Sequence, residues 1–341
     1  MNHATIVGTG SWGTTLAILV ARKNLSVSLL TKAKADAKLL KSQRENSRFV
    51  PGHTFPRSLQ ISNSAPDALS NTNIVILAVP AQRLRENCRW IAPHLRTDAI
   101  VVSAAKGLEV ANAKRMSEIL LGELPEHLHS SICVLSGPNL ATEILEDKPS
   151  SSVVASTDIQ AAKKIQELLT QPKFRVYTST DVIGVEFGGA LKNIIAIGAG
   201  VCDGLGLGNN TKAAILTRGL AEITRLAVAA GAQPITLAGL AGMGDLVATS
   251  YSNSSRNHFV GEQLAKGISL PQIRSEMVNV AEGIDTAAAA THLATNMDVD
   301  MPITKATFDV MFNEMPLGDA IAELLLRAPA PEWDVSTIQP N

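Results

Sequence analysis

"ATIVGTGSWGTTLAILVARKN", residues 4–24, passes from a strand pattern to a helix pattern within a few residues. Residues 4–7 form a short β-type run, and "WGTTLAILVARKN" is helix-like. Between them lies "GTGSWG" (8–13), a G-x-G-x-x-G spacing. In a chain with 24 glycines that spacing alone is a weak signal, but the strand before it and the helix after it make it specific. In such a turn Gly8 allows the tight bend, Gly10 lets backbone approach a pyrophosphate, and Gly13 permits close helix–strand packing. The helix start adds free N–H groups and the positive end of its dipole. The alternative is a glycine-rich turn without a ligand.

Further strand-like runs are predicted at 26–30, 73–79, 99–104, 131–136, 151–156 and 173–179. Several are continuous Val/Ile/Leu runs, the mark of strands buried on both faces. Helical stretches separate many of them, which predicts βαβ units and a largely parallel sheet. Beyond residue 180 strand patterns nearly vanish, and helices are predicted at 184–202, 211–230, 254–267, 283–296, 302–313 and 317–327. The 211–230 helix is read with Thr211 as its N-cap and Gly231 as its stop. The fold expected is an α/β Rossmann-type dinucleotide-binding domain (1–180), an all-α substrate and catalytic domain (181–330) and a tail (331–341).

Composition narrows the function. The chain has 341 residues, with 30 basic against 31 acidic side chains, so no basic surface argues for nucleic acid. Three cysteines, Cys88, Cys133 and Cys202, lie far apart with no CxxC, which favours buried, reduced thiols and a cytoplasmic setting. The first ten residues lack a signal-peptide pattern, and no membrane span is expected. Residues 188–200 come nearest to a span, but Lys192 and Asn193 interrupt them. No metal-ligand spacing is present, so no metal is expected. A homodimer is the default assembly.

Several polar residues stand in unusual surroundings. Lys106 directly follows a buried strand, where open α/β sheets bind ligands, although a surface lysine reads the same way. Gly137 and Asn139 follow another strand, with Asn139 either near a ligand or capping the next helix. Asp245 lies among flexible glycines in "LAGMGDLVATS" (240–250), with capping again as the alternative. "SNSSRNHF" (252–259) gathers Ser255, Arg256 and Asn257 at a helix start suited to a phosphate, or to a plain cap with a solvated arginine. His258 neighbours that start. In "GGALKNIIAIGAG" (188–200), Lys192 sits on an otherwise apolar helix. Gly188, Gly189 and Ala190 there read as room for a cofactor, a substrate or a neighbouring domain. Lys32, at the end of the second strand, stands where a cation would favour a 2′-phosphate, hence NADPH, with NADH also open.

Taken in order, "GTGSWGTTLA", "AAKGLE", "SGPNLATEI", "GVEFGGALKNIIAIGAG", "TRGLAE", "GLAGMGDL" and "SRN" closely resemble the bacterial-type NAD(P)-dependent glycerol-3-phosphate dehydrogenases, over roughly residues 4–327. The resemblance implies reversible reduction of dihydroxyacetone phosphate to sn-glycerol 3-phosphate, with NADP(H) or NAD(H), feeding phospholipid synthesis. It implies Lys192 as general acid/base. It places Lys106, Gly137, Asn139, Asn193, Asp245, Thr249, Ser255, Arg256 and Asn257 at the substrate. It places Gly8, Gly10, Ser11, Trp12, Gly13, Lys32, Lys106, Ala141, Arg256, Val280 and Glu282 at the cofactor. Asn139 and Leu140 depart from the family's usual Ser or Thr followed by an aromatic, and Lys32 from its usual Arg or His. Two other readings are a β-hydroxyacid or 6-phosphogluconate type dehydrogenase, which shares the domain plan and the lysine, and a nucleotide-sensing protein without chemistry.

Overall fold

The computed structural model describes residues 3–277, 280–329 and 331–332. The chain divides into two compact units, one of residues 1–105 and 116–182, the other of 106–115 and 183–341.

The first unit is built on one eight-stranded sheet in the order β3-β2-β1-β4-β5-β6-β7-β8. The strands are β1 (His3–Val7), β2 (Ser26–Leu30), β3 (Leu59–Ser62), β4 (Ile74–Leu77), β5 (Ile100–Ser103), β6 (Ile132–Ser136), β7 (Ser150–Ala155) and β8 (Phe174–Ser179). All pairings from β3 across to β6 are parallel, in the order expected of a doubly wound dinucleotide fold. Then β7 runs antiparallel to β6, and β8 parallel to β7. The apolar runs are continuous because both faces are covered. Ile74 and Ile76 of β4 join Leu16 and Leu29 in one core, while Val75 and Leu77 join Leu84 and Ile119 in another. Edge strand β3 was not anticipated. Its four residues, LQIS, are too short for a clear period of two.

The second unit is helical. Its long helix, Val182–Gly204, is long and apolar enough to cross a membrane by length and composition, but 78% of its most apolar window is buried inside the protein. Phe187, Leu191, Ile194, Ile195 and Ile197 pack in the unit's core, so its apolarity is that of a core helix. The next helix, Gly208–Ala229, starts earlier than expected. Thr211 is inside it, donating back to the Leu207 carbonyl at 3.1 Å, and is not its cap. Gly231 follows the helix with φ +97°, a left-handed stop that glycine adopts freely. Short helices Pro234–Leu237, Asp245–Tyr251 and Leu270–Glu276 were not anticipated. Segment 106–115, expected within the dinucleotide domain, instead sorts with the helical unit. Its Leu108 and Ala113 are buried in that unit's core. Most of the expected tail, from residue 333 on, lies outside the described residues.

Glu222, on Gly208–Ala229, caps a different helix. Its carboxylate accepts from the N–H groups of Ile303 (2.6 Å) and Thr304 (3.1 Å) and from the Thr304 hydroxyl (3.2 Å), at the start of Pro302–Phe312. Burial pushes its carboxyl up to about 7, against these hydrogen bonds and Arg225. The folded state therefore holds this proton more tightly than the unfolded chain does, so its contribution to stability is lost as pH rises from the ordinary carboxyl range through about 7. At about 1.4 kcal/mol per pH unit, the change is roughly 3 kcal/mol. Glu222→Gln is expected to flatten this slope in urea unfolding between pH 5 and 8. An identical slope in wild type and variant would refute the assignment.

Candidate active site

In the first unit, the glycine-rich turn joins β1 to the helix Ser11–Arg22. Gly8 has φ +112°, and a Cβ there would meet the Ala78 carbonyl oxygen at 2.5 Å. A Cβ on Gly13 would lie 2.1 Å from the Gly8 carbonyl oxygen. Gly10, by contrast, faces open space, with nothing within 4 Å of its Cβ position. No side chain caps the helix at Gly10. Asn46 ties the loop down by donating to the Thr9 carbonyl (2.8 Å) and the Thr14 hydroxyl (2.7 Å). Among the described residues the Trp12 indole N–H is buried without a partner. A clear cradle, uncapped helix N–H groups and an orphaned donor fit a bound pyrophosphate. Gly10→Ala is expected to cost no more than about 1 kcal/mol of stability yet to weaken NADPH binding markedly in a fluorescence titration. Unchanged binding would remove Gly10 from the cradle.

Other residues on this unit sit at the carboxyl edge of the sheet. Gly137 has φ +131°, a conformation that excludes most other residues. Asn139 is not a helix cap: its amide donates to the Ser152 hydroxyl at 3.2 Å, and its carbonyl oxygen is buried without a partner. Leu140 takes the cap position of the short helix opened by Ala141. Ser103 and Ser136, at the ends of β5 and β6, also bury unpartnered hydroxyls. Neither was singled out from the sequence, although a serine closing an apolar strand run was a usable signal. Lys32 is half-exposed. Its ammonium lies 2.8 Å from Glu86 Oε1 and 5.3 Å above the Trp90 ring, and Arg83 shares the same carboxylate. A 2′-phosphate bound here would compete with Glu86 for this cation.

The helical unit holds a dense buried cluster. Lys192 Nζ donates to Asp245 Oδ1 at 2.8 Å and to the Thr249 hydroxyl, while Lys106 Nζ donates to Asp245 Oδ2 at 2.6 Å. Asp245 is 1% exposed and Lys192 6% exposed, so one fully desolvated carboxylate joins two ammonium groups. Burial lowers the Lys192 pKa to about 8, with Asp245 opposing and Lys106 and Arg256 adding to the fall. Burial alone would raise the Asp245 carboxyl, but the two lysines outweigh it and hold it below the usual range.

Backbone geometry explains the meeting. A Cβ on Gly188 would lie 2.6 Å from the Ala241 carbonyl oxygen. The glycine thus serves a close approach within its own unit. It presses Val182–Gly204, one turn before Lys192, against the Leu240–Gly244 turn, a π-helical segment that leads directly into Asp245. Lys106 arrives on the 106–115 segment, closed by a Leu108–Arg115 bridge and held by Arg115 to Glu186 at 2.7 Å. This pair joins positions far apart in sequence and left no local signal.

Beside the cluster runs a chain of amides. Gly283 N–H donates to Asn257 Oδ1 (3.0 Å), and Asn257 Nδ2 donates to Asn193 Oδ1 (2.8 Å). Ser255 caps the helix Arg256–Ala265, accepting from the His258 N–H. Arg256 is exposed and donates to the Val280 carbonyl at 2.6 Å. Glu282 opens the helix Glu282–Asn296.

Residues 3–162 match the family model for the N-terminus of NAD-dependent glycerol-3-phosphate dehydrogenase, and residues 181–322 match that for its C-terminus. The chain belongs to the NAD-dependent glycerol-3-phosphate dehydrogenase family. A curated glycerol-3-phosphate dehydrogenase (NAD(P)+) of Dehalococcoides mccartyi is 48% identical over 97% of this chain and 92% of its own. One of Chlorobium luteolum is 43% identical over 97% of this chain and 100% of its own. The crystal structure of glycerol-3-phosphate dehydrogenase from Coxiella burnetii superposes with a TM-score of 0.91 at 33% identity, covering 96% of this chain and 99% of that one. Within this dehydrogenase family, the Rossmann-type fold followed by a helical domain is the expected plan, and the chain follows it.

Proposed function

We propose that the protein reversibly reduces dihydroxyacetone phosphate to sn-glycerol 3-phosphate with NADPH or NADH, supplying phospholipid synthesis in the cytoplasm. The 1–180 domain would take the dinucleotide and the 181–330 domain the substrate, in a homodimer. The observation that carries the reading is the buried Lys192–Asp245–Lys106 cluster, in a chain of this family.

A nicotinamide dinucleotide bound on the glycine-rich turn would supply the hydride chemistry. Lys192 handles the proton at the carbonyl oxygen. An ammonium has three N–H donors; Asp245 and Thr249 engage two, which leaves the third for the substrate. With its pKa near 8, Lys192 is mainly protonated at neutral pH, ready to donate for reduction, and still exchanges readily. Lys106 brings a second positive charge beside the oxygen where negative charge develops. Asn193 and Asn257 orient the hydroxyl-bearing end through their fixed amides. Arg256, with the capped helix start at Ser255, takes the phosphate. Binding the remote phosphate orients the carbonyl and lowers the barrier. On the other unit, Gly8, Gly10, Ser11, Trp12, Gly13, Lys32 and Ala141 would hold the dinucleotide, and Gly137 and Asn139, at the sheet edge, would meet the substrate. Val280 and Glu282 complete the cofactor contacts.

One spectrophotometric assay tests the reading: oxidation of NADPH and of NADH, each with dihydroxyacetone phosphate. Turnover is expected with both, faster with NADPH. Absence of turnover with either overturns it.

A further inference from the structure

We propose that Asp203 is a positioning residue for the phosphate-binding turn at Arg256–Asn257, acting through His258; the proposal rests on the function given above. Asp203 lies near the end of Val182–Gly204, about three turns beyond Lys192. Its Oδ2 is 2.7 Å from His258 Nε2 and 2.6 Å from Lys212 Nζ. Lys212, on Gly208–Ala229, is buried and holds its ammonium 4.2 Å above the Tyr251 ring. The other charged group near the imidazole is Glu262, 3.9 Å from His258 Nδ1. Three helices therefore meet on one carboxylate oxygen.

His258 immediately follows Asn257, and its backbone N–H is the group that Ser255 caps. The helix Arg256–Ala265 already lies in backbone contact with Val182–Gly204. A Cβ on Gly200 would stand 2.0 Å from the His258 carbonyl oxygen, and one on Gly261 2.0 Å from that of Ile197. Such glycine contacts fix the distance between the helices but are not directional. The Asp203–His258 bond is directional, and it acts on the first turn. A helix turned by one residue moves its side chains about 100° around its axis. That would break the Asn257–Asn193 bond and aim Arg256 elsewhere. The pair thus selects the rotation at which both residues face the substrate, without touching it.

The experiment uses the full chain and compares two substrates, dihydroxyacetone phosphate and dihydroxyacetone, which lacks the phosphate. In Asp203→Ala the KM for dihydroxyacetone phosphate is expected to rise about tenfold, the loss of one charged hydrogen bond. The kcat should change less, and kcat/KM for dihydroxyacetone should fall clearly less than that for dihydroxyacetone phosphate, because only the Asn257 contribution acts on it. Asp203→Asn, whose carbonyl still accepts from His258, should recover much of the loss, and His258→Ala should reproduce it. His258→Gln, whose amide still donates to Asp203, supplies a second test if Asp203→Ala does not fold; it should behave nearly as wild type. Equal loss on both substrates, or an unchanged KM in Asp203→Ala and His258→Ala, overturns the positioning role while leaving the function intact. A wild type that turns over neither substrate overturns both.

Discussion

Lys192→Ala is expected to lower kcat for ketone reduction by about two to four orders of magnitude, the usual worth of a positioned proton donor. The loss should fall on kcat, because the ammonium matters most as charge develops on the oxygen. Burial lowers the pKa of this lysine to about 8, and Lys106 and Arg256 add to the fall, while Asp245 opposes them. The pH dependence follows. Reduction needs the protonated form, so its rate falls as pH rises through about 8; oxidation of glycerol 3-phosphate needs the free amine, so its rate climbs over the same range. Both limbs should vanish in the variant. A Lys192→Ala protein with full activity and an unchanged profile would end the assignment.

Arg256→Ala should raise the KM for dihydroxyacetone phosphate by about ten- to a hundredfold, given the strength of charge-assisted hydrogen bonds. Its guanidinium donates to the Val280 carbonyl, so the loss should fall mainly on substrate binding rather than on the fold. NADPH binding should stay closer to normal. Lysine is a poor substitute, since an ammonium cannot grip a phosphate with two parallel bonds. Equal KM values in variant and wild type would refute the role.

The dinucleotide turn was legible because it lies within one short window where strand, glycines and helix each carry a signal. Lys192 was legible for the opposite reason, as a charge on a helix that otherwise reads as core. What stayed hidden depended on contacts between distant segments. Glu222 sits in a quoted motif, but nothing local shows that it caps a helix some eighty residues on. For Asp245 the local sequence left capping open as an alternative, because its partners lie 53 and 139 positions away. Segment 106–115 looked like part of the sheet domain because it follows β5 directly; only Leu108, Ala113 and Arg115 against the long helix reveal its place.

That segment bears on how such a chain can be divided. The backbone passes between the units after residue 105, after 115 and after 182, so no single cut separates them. A helical fragment starting at 183 would lose Leu108 and Ala113 from its core, leave Glu186 without Arg115, and strip Asp245 of one of its two cations. Chimaeras that join halves of two relatives near 182 would inherit the same mismatch. To work, they must transplant 106–115 together with the helices, as a three-junction exchange.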